Sequence, residues 1–123
     1  MTRSEFQALL NNGPVILDGA TGSNLRASGM PVGVCTEQWV LEHPEVLQNL
    51  QRASVEAGSQ IVFAPSFSAN RLSLSMYGLE DQLADMNRAL VQLSRDAVGG
   101  KAFVAGDMAT CGKPVDVEGG VCY

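Results

Sequence analysis

Three short apolar runs, separated by long helical patterns and each followed by a turn of small or polar residues, constrain this chain most. They are residues 15–17, 61–64 and 102–105. Short β-branched or aromatic runs bounded by Gly, Pro and Asn read as buried strands. Between the first two, Val46, Leu47, Leu50, Ala53, Ser54 and Ala57 keep helical spacing over 44–57. Pro44 suits a first helical position, Glu45 suits the positive first turn, and Gly58 supplies a stop. Between the second and third runs, 81–98 carries Leu83, Met86, Leu90, Leu93 and Ala97, stopped by Gly99 and Gly100. Helical crossovers of this length join parallel strands, with a right-handed turn. The spacing also predicts a first helix capped by Ser4 and ending near Asn11, and shorter helices at 23–28, 36–41 and 70–77. The expected fold class is α/β with parallel strands.

In such sheets ligands sit at the carboxyl ends of the strands. Three outlets fall there: Asp18-Gly19-Ala20-Thr21-Gly22, Ser66-Phe67-Ser68-Ala69-Asn70 and Gly106-Asp107-Met108. Asp18 can accept hydrogen bonds from an ammonium group, and backbone amides at Gly19 to Gly22 can hold a carboxylate. Together these suit an amino acid. Each residue also has a local role open to it: Asp18 and Asn70 as helix caps, Ser66, Ser68 and Asp107 as turn residues, Phe67 as a core aromatic. The Gly19–Gly22 turn lacks the G-x-G-x-x-G spacing of dinucleotide sites, and Asp18 opposes a pyrophosphate. No P-loop lysine or G-x-S-x-G elbow is present.

A chain of 123 residues fits one domain, and 46% hydrophobic with 17% charged residues is a globular composition. The net charge of −5 argues against nucleic acid and membrane surfaces as partners. No apolar run reaches the roughly 18 residues of a membrane span. Residues 1–10 lack the apolar core of a signal peptide, so the expected location is cytoplasmic. Cys35, Cys111 and Cys122 form no CxxC pair, which argues against a disulfide framework and a self-contained zinc site. His43 is the one histidine and precedes Pro44, a capping or surface position.

Several segments together resemble one family. Residues 15–25, from Val15-Ile16-Leu17-Asp18-Gly19 to Leu25, are similar to the opening of homocysteine S-methyltransferase domains. Among these they resemble in particular the N-terminal module of cobalamin-dependent methionine synthases. His43-Pro44-Glu45-Val46-Leu47 through Gly58-Ser59, the run from Ile61 to Arg71 and Ala105-Gly106-Asp107-Met108 follow in the family's order and spacing. The resemblance implies a (β/α)8 barrel that binds homocysteine and a catalytic zinc at the strand carboxyl ends. About 250 residues make such a barrel, so residues 1–123 are expected to be its N-terminal portion, about three β/α units. By the same resemblance, Asp18, Gly19, Ala20, Thr21, Ser66, Phe67 and Asn70 are the expected substrate-binding residues. Zinc belongs to the complete enzyme, and cobalamin and methylfolate are implied through other domains.

The departures bear on the metal. The family's zinc thiolates come from late strands, including a paired Cys-Cys after Gly-Gly. Gly119-Gly120-Val121-Cys122 only echoes that run, Cys111 stands in a different turn, and no metal ligand is expected here. Ala64-Pro65-Ser66-Phe67-Ser68 also differs from the family's usual second-strand outlet. A reading from another class remains beside this one: a non-catalytic α/β module whose open sheet edges self-associate or dock on a partner.

Overall fold

The structure is a computed structural model that describes residues 1–112. Cys122 and the Gly119-Gly120 pair lie outside these residues. Helix α1 spans Arg3–Asn11, and its cap corrects the sequence expectation. Thr2, not Ser4, holds the N-terminus: its Oγ1 accepts from the Glu5 amide at 3.2 Å while the Glu5 carboxylate accepts from the Thr2 amide. Ser4, with Gln7 three residues on, fits the same box pattern, but the helix already begins at Arg3 and Ser4 falls within its first turn.

Helices α2 (Thr21–Ala27), α3 (Thr36–Glu42) and α4 (Pro44–Glu56) precede strand β1 (Ile61–Phe63). Helix α5 (Arg71–Ser75), a 3-10 turn at Glu80–Gln82 and helix α6 (Leu83–Val98) lead to strand β2 (Phe103–Ala105). The two strands are parallel, with Ile61 opposite Phe103, Val62 opposite Val104 and Phe63 opposite Ala105. The α-helical crossovers are thus where the 3.6-residue period places them.

The expected buried strand at 15–17 is corrected. Only Leu17 bridges to β1, parallel to Ile61, and Ile16 and Leu17 are 55% and 46% exposed. The pairing begins as a ladder, with Gln60 N donating to Ile16 O at 2.8 Å and Asp18 N donating to Ile61 O at 3.0 Å. It then ends, because side chains take over the next backbone partners on β1. Asp18 Oδ1 accepts from Phe63 N at 3.0 Å, and Gln51 Nε2 of α4 donates to Phe63 O at 2.9 Å. With the Phe63 peptide satisfied on that edge, the chain after Asp18 leaves the sheet at no hydrogen-bonding cost. The other side of segment 15–17 has no strand partner among the described residues; Val15 is half-buried, and Ile16 and Leu17 stay exposed.

The core lies between helices and one face of the strands. Leu25, Met30, Trp39, Val40, Leu47, Ala69 and Leu90 form its main cluster, with Leu41, Val46 and Leu93 packed against it. Val62 and Ala64 are fully buried. Cys35, Leu74 and Met86 make a second cluster beside α5 and α6. His43 is absorbed into this scaffold: its ring stacks on Trp39 with centroids 4.4 Å apart, and Nδ1 lies 3.0 Å from the Trp39 carbonyl oxygen. Among the described residues no helix is long and apolar enough to cross a membrane.

Candidate active site

The peeling of the chain after Asp18 opens a cavity of about 390 Å3 at the carboxyl ends of the strands. Its wall comes from the first outlet (Asp18 to Gly22), the start of α3 (Thr36, Glu37), the second outlet (Phe63 to Pro65, Phe67, Ser68) and Asp107 of the third. A volume of this order suits a small ligand. The broader depression of about 1060 Å3 lies at the opposite ends of the strands, around Gln60, Gly99 and Lys101, away from all three outlets.

Of the sequence-derived site residues, Asp18, Gly19, Ala20, Thr21 and Phe67 come together on this wall. Ser66 and Asn70 are not on it. The Ser66 hydroxyl donates to the Asp107 carbonyl at 2.9 Å and accepts from the Asp107 amide at 3.1 Å, tying the second outlet to the third. Asn70 caps α5 through Oδ1, which accepts from Ser73 N at 2.9 Å. Phe67 is 56% exposed, at the rim rather than in the core.

Burial pushes the Asp18 carboxyl above the usual carboxylate range. The Phe63 amide and the residue's own amide oppose that rise, and the charge of Asp107 adds to it. The left-handed residue at the turn is not a glycine: Ala20 has φ 53° and ψ 31°, while Gly19 and Gly22 lie outside that region. A β-carbon in this conformation costs about 1–2 kcal/mol. Ala20→Gly is therefore expected to stabilise the chain by about 0.5–1 kcal/mol, after the glycine's extra unfolded-state freedom is subtracted. Urea denaturation checks this, and an unchanged or lower midpoint contradicts it. No side chain caps α2, whose first backbone bond runs from Asn24 N to Ala20 O, and its first residues, Thr21 and Gly22, line the cavity.

Glu37 is the wall residue that sequence reasoning missed. It is 2% exposed, and its Oε1 accepts from Ser68 N at 2.8 Å while the Cys35 thiol donates to Oε2 at 3.5 Å. Its signal was present: Glu37 shares a helix face with Val40, an acid on an apolar stripe. Gln51 likewise sits four residues after Leu47 on the buried face of α4. Burial pushes the Cys35 thiol up, and the neighbouring Glu37 carboxylate adds to this, so the sulfur stays protonated. Among the described residues no group of three or more His, Cys, Asp or Glu comes together to hold a metal ion.

Parallel strands with a cavity at their carboxyl ends define an α/β protein of the class in which strand-end loops form the ligand site. The family model for homocysteine S-methyltransferase matches residues 15–120. The chain belongs to the homocysteine S-methyltransferase family. It is 33% identical over 100 residues to S-methylmethionine–homocysteine S-methyltransferase BHMT2 of Pongo abelii, covering 79% of this chain and 26% of that protein. It is also similar to crystal structures of the homocysteine methyltransferase MmuM from Escherichia coli. For the metallated form the TM-score is 0.71 at 27% identity, covering 83% of this chain and 40% of that one. For the oxidized form the TM-score is 0.69 at 26% identity, covering 84% and 40%. The chain thus spans about a quarter of that curated relative and two-fifths of the solved ones.

Proposed function

We propose that this chain is the N-terminal part of a homocysteine S-methyltransferase barrel, of the methionine synthase type, and supplies the amino-acid-binding part of its site. The observation that carries the reading is the cavity where Asp18, the 19–21 backbone and Phe67 converge at the strand ends. In this reading Asp18 accepts from the ligand ammonium, the amides at the start of α2 receive the carboxylate, and Phe67 covers the side chain. The whole enzyme moves a methyl group onto the homocysteine sulfur.

The zinc implied by the family does not fit the residues described here. Cys35 is buried and protonated against Glu37, and no ligand group surrounds it. In this reading the described residues bind and orient the amino-acid end. Cobalamin and methylfolate belong, in the same reading, to other parts of the complete enzyme.

Isothermal titration of the 123-residue chain with L-homocysteine tests the proposal. Saturable binding without methionine formation on adding a methyl donor is expected. Absence of saturable binding overturns the assignment of the cavity.

A second reading, self-association through the sheet edge, is favoured by the exposed Ile16 and Leu17. Light scattering separates the two, since a monomer at all concentrations removes it.

A further inference from the structure

Helix α1 hands over to the 15–17 segment through Asn12 and Gly13, both exposed. Asparagine is chemically labile where the next backbone nitrogen can reach its side-chain carbonyl carbon. The chain's other asparagines are held away from that reaction. Asn11 Oδ1 accepts from Gln7 Nε2 at 3.2 Å, Asn24 Nδ2 donates to Ala20 O at 3.0 Å, and Asn49 Oδ1 accepts from Arg52 Nη1 at 3.3 Å. Asn70 Oδ1 accepts from Ser73 N, and Asn87 Nδ2 donates to Ala69 O and Leu83 O. All but Asn70 lie inside helices, and every one precedes a residue with a side chain. Of the asparagines, Asn12 alone has no side-chain hydrogen bond among the described residues.

We propose that Asn12 is a site of spontaneous deamidation and that the change releases α1. Nothing in this chemistry depends on the homocysteine reading. The Gly13 nitrogen gives its proton to hydroxide and attacks Asn12 Cγ. An N–Cγ bond forms, the Cγ–Nδ2 bond breaks, and ammonia leaves with a proton from water. One water molecule then opens the cyclic imide. Attack at Cγ gives aspartate, and attack at the backbone carbonyl gives isoaspartate, in which the chain runs through the side chain. Ring closure needs Asn12 to turn about its Cα–C bond from ψ 1°, which costs the long 3.3 Å bond from Gly13 N to Leu10 O. Gly13, at φ 124° and with nothing within 4 Å of a β-carbon position, leaves room for that turn. Helix α1 follows the turn, since none of its residues is buried. The product adds a carboxylate at the negative end of α1, whose last turn carries no basic residue. The helix therefore frays from that end, and Leu9 leaves the wall of the depression around Gln60, Gly99 and Lys101.

The test follows peptide masses of the 123-residue chain in mildly alkaline buffer, folded and in urea. In the folded chain Asn12 is expected to convert at least about ten-fold faster than any other asparagine, because the others need a local opening before the ring can close. Unfolding in urea should speed Asn12 by less than about ten-fold, since the fold gives it little protection. Another asparagine converting as fast in the folded chain overturns the site, and so does a larger gain of Asn12 in urea. The consequence is read by limited proteolysis of Asn12→Asp, with Asn12→Gln as the uncharged control. Cleavage within residues 1–12 is expected to be about two- to five-fold faster in the aspartate variant, with the urea midpoint of the core unchanged. Equal cleavage of the two variants overturns the release of α1, as does a core midpoint lowered by the aspartate.

Discussion

Asp18→Asn is expected to lose homocysteine binding by about ten-fold or more while the chain remains folded and melts higher at pH 7 than the parent. The asparagine carbonyl can still accept from Phe63 N, so the contact that ends the first ladder survives. What disappears is a charge held in a partly buried place. The carboxyl is raised in the folded state by burial, with Asp107 adding to the effect. A raised carboxyl favours the folded state while protonated, and that contribution is lost as pH climbs through the folded value. At pH 7 Asp18 is therefore a net cost to folding, and the neutral amide removes it. The stability gap should close as the pH is lowered through the carboxylate range, where the parent's Asp18 takes up its proton. Thermal melts of both proteins from pH 7 to about pH 3 check the sign. A variant less stable than the parent at pH 7 and equally stable at low pH contradicts it. A variant that binds homocysteine as well as the parent removes Asp18 from the site.

Leu90→Ala is expected to cost about 2–5 kcal/mol of stability. Leu90 is fully buried on α6 and meets Leu25, Met30, Trp39, Val40, Leu47 and Ala69 in one cluster. Those residues come from three helices and two connecting segments, so the void left by three lost carbons cannot close by moving one helix. Against a total of about 5–15 kcal/mol for a small domain, the loss takes a large share of the fold. In urea the midpoint should drop steeply with the slope kept. Val32→Ala, at a residue 82% exposed, is the control and should stay within about 0.5 kcal/mol of the parent. A Leu90 variant no weaker than that control would mean that α6 does not close the core.

The two long crossovers were legible because a 3.6-residue period repeated over four turns leaves little choice of face. Pro44 and Gly99 mark ends of α4 and α6 as read from sequence. Strands β1 and β2 were legible as apolar runs between turn residues. The first strand was misread for a physical reason. Its ladder stops because Asp18 and Gln51 satisfy the Phe63 peptide, and Asp18 does so across 45 positions. No local pattern carries a bond of that span. Ser66 and Asn70 look like outlet residues in sequence, but the Ser66 hydroxyl is taken up by Asp107 and Asn70 Oδ1 by the α5 cap, while Asn70 Nδ2 is buried without a partner. Ala20 was invisible as a strained position, because the glycines on both sides were the natural candidates for a left-handed turn.

By itself the sequence determined the parallel α/β order, the outlets at one end and the family, since apolar periodicity and ordered motifs are local and additive. Only the tertiary structure decided which outlet side chains reach the cavity and which are used as struts. It brought the buried Glu37 to the wall beside Asp18 and left the 15–17 edge exposed. A polar group's role depends on whether a backbone partner from a distant segment reaches it first, and that is fixed only when the elements pack.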